Sequence, residues 1–145
     1  MLLGVIVLLA SSSLAAPPPS GTVRIDVDAT HASQKILHSH LQIPVRPGPL
    51  VLYYPKWIPG EHMPDGPIIN VAGLKFTAGG KVLPWRRDLV EMYAFHVEIP
   101  NGVSSLEVDL DFLLSAGPSG FSSGASATAY LDVISWNQLL LYPEG

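Results

Sequence analysis

Chemistry in this chain has few residues to draw on. Its histidines are His31, His38, His40, His62 and His96, and it contains no cysteine. The sharpest pair is His38-Ser39-His40, because on an extended strand residues i and i+2 point to the same side. Two imidazoles on one face can act as paired metal ligands, as in cupin-like barrels. A third ligand has to come from elsewhere, and the next acidic residue after His40 is Glu61, too far along for the cupin pattern. Two imidazoles alone make an incomplete site. The competing reading places both rings on the solvated face of an edge strand, opposite Leu37, Leu41 and Ile43. His96, between Phe95 and Val97, reads as a surface histidine and His31 as a turn residue. Glu107, Asp109 and Asp111 alternate along one strand and read as a solvated acidic face.

Longer catalytic motifs are missing. There is no G-x-S-x-G elbow, P-loop or dinucleotide fingerprint, and the nearest approach to the zinc motif H-E-x-x-H is "GEHMP", which has neither the second histidine nor a helix. No catalytic residue and no metal ligand set is assigned. The stretch "YYPKWIPGEHMPDG", Tyr53 to Gly66, stands out for a different reason. Pro59 fixes φ and biases Ile58 toward extended geometry, and Gly60 permits a turn that a side chain would strain. Trp57 is therefore carried on a stiff support, followed at once by Glu61 and His62. Trp57, Pro59, Gly60, Glu61 and His62 are the candidate contact residues, suited to the rim of a cleft or a domain interface. The alternative is that Trp57 caps one end of the fold.

These residues must be positioned by a single domain, since 145 residues with 48% hydrophobic content leave no room for a second of ordinary size. A net charge of −4, from 8 basic and 12 acidic residues without long runs, argues against nucleic acid, which needs a basic face. Lack of cysteine excludes a disulfide framework, a thiolate zinc site and a cysteine nucleophile. Residues 1–16, "MLLGVIVLLASSSLAA", form an apolar run followed by an A-x-A-like end and read as a cleavable signal peptide. The run is short for a transmembrane helix, and no Lys or Arg precedes it, so an uncleaved anchor is the alternative. Residues 17–21 are a Pro-rich linker. The expected location is exported, periplasmic or extracellular, with no membrane association after cleavage.

Residues 22–145 read as strands and turns. In "TVRIDVDA", Val23, Ile25 and Val27 alternate with Arg24, Asp26 and Asp28, the pattern of a strand with one wet face. "QKILHSHLQIPV" is extended up to Pro44, and "PLVLYYP" is of central-strand type. "LKFTAGGKVLPW" is a hairpin pattern around Gly79-Gly80, and "EMYAFHVEIPNGVSSLEVDLDF" is another around Asn101-Gly102. In the latter, Tyr93, Phe95, Val97 and Ile99 face inward against Leu106, Val108, Leu110 and Phe112. Phe112 to Leu131, rich in Gly, Ser and Pro, reads as a flexible loop, and "TAYLDVISWNQLLLYPEG" returns to strand-like sequence. No window carries a sustained helical period. The fold class is all-β, an antiparallel β-sandwich.

With these elements laid out, the chain resembles the N-terminal domain of the glycyl-aminopeptidase family of zinc metallopeptidases (metallopeptidase family 61). The resemblance rests on the W-x-P-G turn at Trp57, Pro59 and Gly60, the "AGG-K" hairpin, the "WRRD" segment and the close from Trp136-Asn137 to Tyr142-Pro143. Where the family commonly continues its Pro-Gly turn with Ser-Tyr and then an Arg, this chain has Glu61, His62 and Asp65. The resemblance implies a β-sandwich that precedes a thermolysin-like domain carrying H-E-x-x-H, a glutamate ligand and the catalytic zinc. Nothing in these residues supplies that machinery. The expected function is thus a non-catalytic leading domain of a secreted aminopeptidase, without a cofactor of its own. Its partner is the catalytic domain, absent from this chain, and through it a peptide substrate. Two other classes stay open. One is a secreted module binding sugar or peptide on an aromatic platform of Tyr53, Tyr54, Trp57 and Trp85. The other is a small cupin-like metal-binding protein.

Overall fold

The computed structural model describes residues 21–115 and 125–144. The expected signal peptide and all of the linker but Gly21 lie outside the described residues, as does the middle of the expected Phe112–Leu131 loop. The described chain is all-β with antiparallel pairing, its only helical turns being three short 3-10 segments. Among the described residues no helix is long and apolar enough to cross a membrane.

Strands β1 (Arg24–Asp28), β2 (Ile36–Pro44) and β3 (Gly48–Tyr53) come first, followed by β4 (Val71–Ala78), β5 (Lys81–Leu83), β6 (Trp85–Arg87) and β7 (Ala94–Ile99). Strand β8 (Ser105–Leu113) is succeeded by three two-residue strands, β9 (Ser126–Ala127), β10 (Asp132–Val133) and β11 (Tyr142–Pro143). One sheet runs β1-β2-β8-β4-β5, a second β11-β3-β7-β6, and β9 pairs only with β10. The alternation legible in the sequence is the alternation of burial: Leu106, Val108, Leu110 and Phe112 of β8 are buried between more exposed Glu107, Asp109 and Asp111. Inward residues of both large sheets join one buried cluster, in which Leu41, Phe76 and Val108 from the first meet Leu52, Phe95 and Ile99 from the second. Gly79 and Gly80 adopt φ of 55° and 75° and close the β4–β5 hairpin as expected.

The hairpin expected around Asn101-Gly102 is not one. Strand β7 pairs with β3 and β6, and β8 pairs with β2 and β4, so the turn carries the chain from one sheet to the other. Pro100 is the reason. A two-residue hairpin needs both flanking residues to exchange hydrogen bonds. The Val103 N–H does reach the Pro100 carbonyl at 3.3 Å, but proline has no N–H to return. The inward sets assigned from the alternation still face the core, from opposite sheets. Pro84 marks a second change of sheet, since β5 and β6 on either side of it belong to different ones. Strand β2 is likewise not an edge strand, because β1 and β8 pair with its two sides.

The region after β8 is less strand-like than its composition indicates. Among its described residues the sheet content is three two-residue strands, and Ala125, Ala127, Leu139 and Leu141 are buried among less regular backbone. Buried backbone of this kind has to find partners outside a ladder. The Ser39 hydroxyl of β2 donates to the Leu139 carbonyl at 2.6 Å, and the Tyr54 hydroxyl beyond β3 donates to the Gln138 carbonyl at 3.0 Å. Gln138 in turn accepts the Ala125 N–H through its side-chain oxygen at 3.1 Å.

Two substitutions test this packing by urea unfolding. Phe95→Ala empties a core site and is expected to lower stability by roughly 3–5 kcal/mol. Ser39→Ala leaves the Leu139 carbonyl without its donor and is expected to lower it by about 1–3 kcal/mol. A wild-type midpoint for Ser39→Ala would show that water replaces the hydroxyl.

Candidate functional site

Two loops leave the same end of the second sheet, where Tyr53 of β3 pairs with Ala94 of β7. The first, residues 55–66, is the stretch singled out by its prolines and aromatics. Its anchor is Ile58, which is buried, while Trp57 remains 63% exposed. The turn closes when the Glu61 N–H reaches the Ile58 carbonyl at 3.0 Å, with Gly60 at a φ of 92° that side chains rarely adopt. Pro59, Gly60 and His62 are exposed and Glu61 is half-buried. The loop ends where the Gly66 N–H donates to the Lys56 carbonyl at 2.9 Å, and a Cβ at Gly66 would stand 1.9 Å from the Pro55 oxygen.

The second loop, residues 88–93, drew no functional assignment from the sequence. Asp88 organises it: its carboxylate accepts the N–H groups of Val90 and Glu91, each at 2.9 Å, and lies 2.8 Å from His96 Nε2. His96, expected as a surface histidine, is therefore half-buried against Asp88. The backbone N–H of Glu91 and that of Val90, then His96, hold the Asp88 carboxyl well below the usual carboxylate range. On this fixed turn Leu89 and Val90 are 97% and 95% exposed, and Met92 is exposed as well. The two loops are tied together. Lys56 Nζ lies 2.7 Å from Glu91 Oε2 and over the Tyr93 ring, and the Tyr93 hydroxyl donates to the Gly66 carbonyl at 3.0 Å. The only sequence signal for this arrangement was Asp88 ahead of two apolar residues and a tyrosine.

The aromatic platform is not assembled. Tyr54 is fully buried. Trp85 sits edge-on to Phe76 and Phe95, with centroids 6.0 and 5.5 Å away, and Tyr53 stacks on Tyr142. Trp57, at 63% exposure, keeps most of its surface in solvent among the described residues.

His38 and His40 do share the outer face of the first sheet, and each has a carboxylate beside it. His38 Nδ1 is 2.6 Å from Asp111 Oδ1, and His40 Nδ1 is 2.7 Å from Asp109 Oδ1. Asp109 also pairs with Lys75 at 2.9 Å. Burial opposes ionisation of Asp109, but hydrogen bonds from His40 and Lys75 outweigh it and leave its pKa lowered. The acidic face is thus a ladder of cross-strand pairs. Among the described residues no three His, Asp or Glu converge on one point as metal ligands would.

Residues 24–145 match the family described as the Peptidase M61 N-terminal domain. No curated protein matches the chain. Among solved structures it is similar to an aminopeptidase N family protein from Idiomarina loihiensis, with 17% identity and a TM-score of 0.70 over 86% of this chain. At that identity the likeness shows the fold alone. The chain spans 20% of the length of that protein.

Acid should loosen the 88–93 turn. Because the Asp88 pKa is depressed on folding, its contribution is present above the ordinary carboxylate value of 3.8 and is lost as pH falls below it. Unfolding curves from mildly to strongly acid solution should show a steeper loss for wild type than for Asp88→Asn, and parallel profiles would disprove the assignment. Gly66→Ala should lower the unfolding midpoint more than Gly80→Ala, because a Cβ at Gly80 meets nothing within 4 Å and only the backbone angle is strained.

Proposed function

Because this chain belongs to the Peptidase M61 N-terminal domain family, we propose that it is the non-catalytic leading β-sandwich of an exported, glycyl-aminopeptidase-like zinc metallopeptidase. Its role is to pack on a catalytic domain and to rim the cleft of that domain. The observation that carries this reading is the pair of tied loops displaying Trp57, Met63, Leu89, Val90 and Met92 to the outside. Large apolar side chains held rigidly in water are a standing cost unless a partner covers them. The braces at Asp88, Glu91 and Tyr93 fix their positions in advance, which lowers the ordering cost of docking.

The chain's own residues do not fit a catalytic zinc. Such sites use three protein ligands and an open position, whereas here no H-E-x-x-H is present and no three side-chain ligands converge among the described residues. The zinc therefore belongs to the partner domain, where it would activate the attacking water. Trp57, Pro59 and Gly60 present the contact ridge. Glu61 and His62 add a carboxylate and an imidazole at the edge of the cleft, able to meet a peptide amino terminus or the neighbouring domain.

The chain alone is expected to release no product from glycyl or alanyl substrates, with or without added zinc, and zinc-dependent turnover would refute the reading. In a polypeptide joining this domain to a family catalytic domain, replacing Glu61 and His62 together by glutamine should change KM or kcat while leaving the unfolding curve in place. Unaltered kinetics with unaltered stability would reduce the turn to a connector.

A further inference from the structure

The turn before β2 brings together two histidines that are seven residues apart in the chain. Lys35 adopts a left-handed φ of 69°, and the Ile36 N–H returns to the His31 carbonyl at 3.3 Å. The chain thereby doubles back, and His31 comes to lie beside the first imidazole of β2. His31 Nδ1 and His38 Nε2 are 3.2 Å apart, with the rings nearly perpendicular at 88°. The other ring nitrogen of His38 is engaged, since Nδ1 lies 2.6 Å from Asp111 Oδ1. An ionised carboxylate only accepts, so in the tautomer that donates Nδ1–H to Asp111 the Nε2 lone pair of a neutral His38 ring faces His31.

Between two neutral imidazoles this spacing gives one hydrogen bond. It also matches the bite of a metal ion. With metal–nitrogen bonds of about 2.0–2.1 Å, two ligands at a tetrahedral angle stand about 3.3 Å apart. We propose that His31 Nδ1 and His38 Nε2 form a two-nitrogen chelate for a divalent transition-metal ion of the zinc and copper class, with Asp111 orienting His38 from behind. Imidazole suits these ions and not the hard, oxygen-seeking ones. A carboxylate on the distal nitrogen is the usual support of a metal-bound histidine, fixing its tautomer and raising its basicity. Space for that carboxylate comes from Gly73 of β4, where a Cβ would stand 2.6 Å from Asp111 Oδ2. Among the described residues no third side chain converges, so water completes the coordination and the ion is exchangeable. Its effect is to clip the 31–35 turn to the outer face of the first sheet. His40 is held by Asp109 in the same way, but among the described residues it is His38 that a second imidazole faces. The inference is independent of the peptidase reading.

The test is a titration of the chain with zinc chloride, copper chloride and magnesium chloride, followed by calorimetry and thermal unfolding. Zinc and copper should bind one ion per chain and raise the unfolding temperature, as any ligand selective for the folded state does, and magnesium should not. His31 is exposed, so His31→Gln is expected to fold; it should abolish the rise, while His40→Gln keeps it. Asp111→Asn should weaken zinc binding by about 10-fold or more. An absent zinc shift in wild type, or an undiminished one in His31→Gln, would overturn the proposal.

Discussion

The irregular segment from Trp136 to Leu141 would be untenable in the interior without the hydroxyls of Ser39 and Tyr54. Leu139 and Leu141 are fully buried, and their backbone is carried inside with them, where an unpaired carbonyl costs as much as a lost hydrogen bond. One donor comes from β2 of the first sheet and the other from Tyr54, the residue just beyond β3 of the second. The segment is thereby fastened to both sheets, and the apolar cluster they share gains a fixed boundary. A polar residue at the inward position of β2 looks like a flaw in the pattern until its acceptor, 100 residues downstream, is known.

The same economy of polar contacts shapes the working end of the domain. Loops 55–66 and 88–93 have little apolar anchoring apart from Ile58 and Tyr93, so their conformations rest on Gly66, the Lys56–Glu91 pair and the Asp88 brace. Exposed ion pairs contribute little to overall stability. Here they fix where Trp57 and Leu89 stand, which is a matter of geometry more than of energy. A domain whose role is to present a surface gains from this division: the sheets supply the stability and the loops supply the shape.

The outer face of the first sheet follows another logic. Its strands alternate cleanly, and the outward row carries histidines opposite carboxylates, ordered by register into Asp28, His38 and Asp111 in one line and Asp26, His40 and Asp109 in the next. The bulge between Ala72 and Lys75 in β4 breaks this ladder at Gly73 and leaves room for Asp111 to turn toward His38. The two histidine–aspartate pairs are therefore not equivalent. One is quenched by Lys75, and the other opens onto His31.

What sequence alone determined is set by local rules. Period-two alternation marked β1, β2, β7 and β8 and named their buried faces, because side-chain direction in a strand depends only on parity. Gly79-Gly80 announced a hairpin, and Pro59-Gly60 announced a stiff turn beneath Trp57, because both signals act through backbone angles of the residues themselves. The family resemblance was likewise carried by short motifs in order. Which strands pair was beyond these rules. Asn101-Gly102 announced a hairpin, but Pro100 withholds one of the hydrogen bonds that would close it, and partners far away in the chain took β7 and β8 into different sheets. The inner position of β2, the hold of Asp88 on His96 and the meeting of His31 with His38 were decided by the same long-range packing, which parity and turn chemistry do not encode.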